Sequence, residues 1–101
     1  MSIETVDVAF GIEPEGSVLA IMPGIAATVG RTDHVTCYAH IGQHSGADLA
    51  YCMEELKQAD LDDYANLLEE LRRIGYDVRV IRLASIGRAD YAAARREQLG
   101  L

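Results

Sequence analysis

Hydrophobic and polar positions divide the chain into three strands, a helix, a strand and a final helix. In "ETVDVAF", Val6, Val8 and Phe10 alternate with Thr5, Asp7 and Ala9, and a period of two predicts a half-buried strand. "IEPEGS" holds a Pro and a Gly and reads as a turn. "VLAIM", Val18 to Met22, is continuously apolar and reads as a central strand buried on both sides, stopped by Pro23-Gly24. "GIAATVGRTD" has no period and reads as a loop. It lacks the Gly-Lys-Ser/Thr ending of a phosphate loop. "HVTCYAHI" alternates again: Val35, Cys37, Ala39 and Ile41 share one face, and His34, Thr36, Tyr38 and His40 share the other.

After Gly42 the stretch "GQHSGAD" reads as a turn. "ADLAYCMEELKQ" reads as a short helix with Leu49, Cys52, Met53 and Leu56 inward. The strongest element is "DLDDYANLLEELRRIG", where Leu61, Tyr64, Leu67, Leu68, Leu71 and Ile74 recur at helical spacing. Asp60 is a natural N-cap, Asp62 and Asp63 suit the positive end of the helix dipole, and Arg72 and Arg73 suit the negative end. Gly75 fits a left-handed exit. "YDVRVIRL" follows as a strand, and "ADYAAARREQLG" as a second helix. The order predicts an α+β fold: a small, largely antiparallel sheet of about four strands, one main helix on one face and a C-terminal helix. The expected core face is Val6, Val8, Phe10, Leu19, Ile21, Cys37, Ala39, Val78 and Val80. The division expected is a single domain over 1–83 and a basic helical extension over 84–101.

A length of 101 residues suits one domain. The longest apolar run, Val18 to Val29, is too short and too interrupted to span a bilayer as a helix. The acidic start "MSIETVDVAF" lacks the basic region of a secretory signal. A cytoplasmic protein with reduced thiols at Cys37 and Cys52 is therefore expected. The net charge of −7 is uneven: residues 1–71 carry −11, and residues 72–101, with seven Arg, carry +4. The acidic body should repel nucleic acid, while the Arg-rich tail can approach phosphate or an acidic partner. Docking of that tail on a second copy, a homodimer, is one expectation.

The chemistry-bearing residues gather in "CYAHIGQHSGAD". Cys37, His40, His44 and Cys52 offer the ligand types of a zinc site, and a metal-stabilised domain using them is one alternative, but strand alternation sends Cys37 and His40 to opposite faces, so no metal is expected; no cofactor is expected either. The same separation weakens cysteine catalysis, leaving His40 or His44 as general base in an enzymatic alternative. The favoured site is the polar face and turn, with Tyr38, His40, Gln43, His44 and Ser45 binding a protein or small ligand through groups that both donate and accept hydrogen bonds.

Cys37, Tyr38, His40, Gly42, Gln43, His44 and Ser45, with Tyr64, Ile74, Gly75 and Tyr76 downstream, form a pattern that resembles a family of small bacterial proteins of plasmids, phages and other mobile elements. The resemblance covers about Val18 to Val80, and the Arg-rich end departs from it. No established activity accompanies the family. The resemblance implies an accessory or interaction role within a mobile element.

Overall fold

The computed structural model describes residues 5–28, 31–39 and 43–101, with the side chains of residues 28, 31, 32, 43 and 44 outside the description. Strands β1 (Thr5–Ile12), β2 (Val18–Thr28), β3 (Arg31–Ala39) and β4 (Gln43–Asp48) are followed by helix α1 (Leu49–Glu55), the short strand β5 (Lys57–Gln58) and helix α2 (Leu61–Ile74). Strand β6 (Asp77–Ile81), a 3-10 turn (Leu83–Ser85) and helix α3 (Ala89–Gln98) complete the chain.

The sheet runs β4-β3-β2-β1, each neighbouring pair antiparallel. The outer side of β1 is shared between two strands. β5 pairs antiparallel with Gly11 and Ile12, and β6 pairs parallel with Thr5 to Ala9. Helix α2 returns the chain from the Gly11 end to the Thr5 end, which makes β6 parallel. The fold is α+β, as the pattern predicts.

Both faces of this sheet are covered. Residues directly opposite on paired strands share a face. Phe10 stands opposite Ala20, and Ala20 opposite Tyr38; Ala9 stands opposite Ile21, and Ile21 opposite Cys37. One cluster joins Val8, Phe10, Ala20, Met22, Tyr38 and Val78 to Leu67, Leu68 and Leu71 of α2. A second joins Ala9, Leu19, Ile21, Val35 and Cys37 to Cys52 of α1 and Leu56 at its end, and to Leu83 and Ile86. The expectation of one core face is therefore corrected: Phe10 and Ile21 belong to opposite layers. Each fully buried aliphatic side chain contributes roughly 1.5–3 kcal/mol. Gly11 marks a close approach in the second layer, since a Cβ there would lie 2.9 Å from the Leu56 Cβ.

Three further expectations are corrected. β2 continues through Pro23-Gly24, because its pairing with β3 jumps from Met22↔Thr36 to Ala26↔Val35. That bulge accommodates a residue without an N–H. The segment read as a turn after Gly42 is β4. Met53, Leu61, Ile74 and Val80, read as inward, are exposed. The basic helical extension docks on its own chain: Tyr91 and Arg95 are buried as α3 lies against β2.

Helix α2 follows its local signals. The Asp63 carboxylate accepts from the Asp60 N–H at 2.9 Å, and Gly75, at φ 124°, ends the helix by donating to Leu71 and Arg72 carbonyls. Helix α3 is held by polar side chains instead. The Arg95 guanidinium donates to the Pro23 carbonyl. The Gln98 amide donates to the Gly24 carbonyl at 2.6 Å and accepts from the Ala26 N–H at 2.9 Å. These two side chains satisfy backbone groups that the bulge withdraws from the ladder. No helix among the described residues is long and apolar enough to cross a membrane.

Candidate functional site

Tyr38 does not face solvent. It is 1% exposed, within the cluster under α2, and its hydroxyl donates to the Glu70 Oε1 at 2.9 Å. The expectation that places it on an open recognition face is corrected: α2 covers the side of the sheet that alternation reads as solvated. Tyr38 suits that place because its ring fills the layer while its hydroxyl reaches a carboxylate.

His40 lies outside the described residues. Gln43 and His44 are described through their backbone, which stands in β4 opposite Ala39 and Tyr38. Ser45 is exposed, and its Oγ is 3.1 Å from the Cys37 Sγ across the β3–β4 pair. Asp48 ends the strand and caps α1, its carboxylate accepting from the Ala50 N–H at 2.8 Å. β4 thus carries Gln43, His44 and Ser45 along the terminal strand of the sheet, paired with β3 alone among the described strands.

Cys37 and Cys52 are both buried in the second core layer. Burial, and then the neighbouring Cys37, push the Cys52 thiol up to about 11. A thiol so disposed stays protonated at neutral pH and makes a poor nucleophile or metal ligand. Among the described residues no three His, Cys, Asp or Glu side chains gather as metal ligands.

No protein-family profile, curated protein or solved structure matches the chain. The site therefore rests on its own geometry.

Two clusters escape sequence reading. At one end of the sheet Arg79 grips Asp7 through two bonds, 2.6 and 2.7 Å, and the Tyr91 hydroxyl donates to the same carboxylate at 2.6 Å. The Arg79 bond, with smaller help from Tyr91, holds the Asp7 carboxyl below its usual value, while burial and Asp7 push the Tyr91 phenol up to about 12. Arg88 stacks over the Tyr91 ring at 5.4 Å and pairs with Asp90. This network ties β1, β6 and α3 together. At the other end, a cleft of about 440 Å³ opens between the β1–β2 turn, the end of β3 and the start of α2, lined by Glu13, Ser17, Val18, Ala39, Asp63, Asn66 and Leu67. Neither cluster is local in sequence. The only signal available was the acidic excess of residues 1–71.

Proposed function

We propose that the chain works by binding rather than by catalysis, and that β4 is the surface it presents, with an extended segment of a protein partner adding to the sheet beside Gln43–Asp48. One observation carries this reading: among the described residues β4 is a terminal strand, with no charged residue before Asp48, no Pro and no bulge. Every second residue of such a strand turns its N–H and C=O outward, and proteins guard that edge with Lys, Pro, bulges or short length. β6, at the other end, alternates Asp77 and Arg79 with apolar residues. Main-chain bonds would supply affinity, and the side chains of Gln43, His44 and Ser45 selectivity.

The burial of both thiols, with that of Cys52 held protonated, and the engaged Tyr38 hydroxyl favour a binding role over catalysis. The basic tail gives little support to a nucleic-acid partner: Arg95 is buried, Arg88 pairs with Asp90 and Arg79 with Asp7. The docked α3 also removes the reason for expecting the tail to seek a second copy, although a homodimer through β4 is one form this pairing can take. Placement in a mobile element rests on the resemblance of the "CYAHIGQHS" block.

A proline scan over residues 43–47 tests the reading. Proline removes an outward N–H at alternate positions and a β3-bonding N–H at the others. Association, followed by sedimentation for self-pairing and by pull-down with the products of adjacent genes, should be lost at alternate positions without loss of melting temperature. Association unaffected at every position that leaves the fold intact would refute it.

A further inference from the structure

The 440 Å³ cleft at the β1–β2 turn is large enough for a small ligand. Its apolar contribution comes from three elements that fold brings together: Val18 at the start of β2, Ala39 at the end of β3 and Leu67 of α2. Four polar side chains border them. Glu13 is half-buried, and its Oε2 is the acceptor of the Tyr51 hydroxyl at a long 3.4 Å. Asp63 is exposed and accepts from the Asp60 N–H on one oxygen, and its other oxygen has no hydrogen bond among the described residues. The Ser17 hydroxyl and the Asn66 amide form no hydrogen bond within the described protein.

The charge is one-sided. No Lys, Arg or His is among the described lining residues, and two carboxylates are. Asp62 stands beside Asp63 in the first turn of α2, and Glu15 lies two residues from Glu13. An anion would meet repulsion here, and a neutral ligand would gain nothing from two carboxylates that water already reaches, Asp63 being exposed and Glu13 half-buried. A cation on a short hydrocarbon body gains from both parts of the lining: its charge is attracted to Glu13 and Asp63 while its body covers Val18, Ala39 and Leu67.

We propose that this cleft binds a small organic cation, an alkylammonium or alkylguanidinium, with Glu13 and Asp63 as its anionic partners and Ser17 and Asn66 as hydrogen-bonding groups. The cleft adjoins the start of β4, since Ala39 pairs with Gln43, but the proposal does not depend on the reading of the β4 edge.

Titration of the full chain with n-butylammonium, n-butanol and butyrate, followed by amide chemical shifts, tests the proposal. Butylammonium should give saturable shifts at Ser17, Val18, Ala39, Asn66 and Leu67 with a millimolar Kd. Butanol should bind at least tenfold more weakly, and butyrate should give no saturable shift. Glu13→Gln should weaken butylammonium at least tenfold. Asp63→Asn, which keeps an acceptor for the Asp60 N–H, should weaken it similarly with the fold intact. High salt should weaken binding as well. Equal binding of the three probes, no saturable shift with butylammonium, or unchanged affinity in both variants would overturn the proposal.

Discussion

Replacing Tyr38 by Phe removes one hydroxyl and should cost stability rather than recognition. The ring stays in its layer, 1% exposed, among Phe10, Met22, Leu68 and Leu71. What is lost is the 2.9 Å bond to the Glu70 Oε1. A hydrogen bond to a charged group contributes about 1.5–3 kcal/mol. Glu70 is half-buried, so its carboxylate regains water and the low end applies, about 1.5 kcal/mol. At about 4–8 °C per kcal/mol for a domain near this size, the melting temperature should fall by roughly 6–12 °C. Tyr38→Ala removes the ring as well and should cost about 3–5 kcal/mol, out of a total near 5–15 kcal/mol. Urea unfolding followed by far-UV circular dichroism gives both values. A cycle with Glu70→Gln isolates the pair, and the double variant should be about 1 kcal/mol more stable than additivity predicts. Tyr38→Phe unfolding at the same urea concentration as the parent, with Tyr38→Ala less than about 0.5 kcal/mol below it, would refute the buried placement and return Tyr38 to the surface.

Acid should expose the Asp7 network. Arg79 and Tyr91 depress the folded-state carboxyl, so its contribution is fully present above the ordinary value of 3.8 and is lost as pH falls through the lower folded value; the stability difference between the parent and Asp7→Asn should shrink below about pH 4 in urea melts, and a difference independent of pH would contradict this. Gln98→Ala should cost about 1–2 kcal/mol by releasing two backbone groups of the bulge, and the Ala26 amide should exchange faster with solvent. Cys52, buried and with its thiol pushed up to about 11, should label with a thiol reagent only as fast as the protein opens; labelling at the unfolded rate in native buffer would contradict its burial.

Local signals in the sequence foretell local structure well. Asp60, Asp63, Arg72 and Gly75 mark the ends of α2 because caps and dipoles act within one turn. The alternation of Val35, Cys37 and Tyr38 identifies β3 and separates its faces. Which face meets water is a different matter. Tyr and Thr carry polar atoms that partners inside the protein can satisfy, so the Thr36–Tyr38 side looks solvated although α2 lies over it. The opposition of Phe10 and Ile21 depends on register, set at the Ile12–Val18 turn by pairing that no single strand encodes. Pro23 and Gly24 look like a stop because the groups that sustain the bulge, Arg95 and Gln98, come from the far end of the chain. The cleft at Glu13 and Asp63 and the Asp7–Arg79–Tyr91 cluster are assembled from distant segments for the same reason. Of the expected site, Gln43, His44 and Ser45 keep a shared position on β4, while Tyr38 moves into the core and His40 lies outside the described residues.

The open edge of β4 is most directly measured by amide hydrogen exchange on residues 43–48, first in dilute monomer and then under conditions of association. In the monomer, alternate amides should exchange rapidly while those bonded to β3 are protected. On association the rapid set should slow while amides of β6 do not change. Uniform protection of all six β4 amides in the dilute monomer, or association that leaves the rapid set unprotected, would contradict the account.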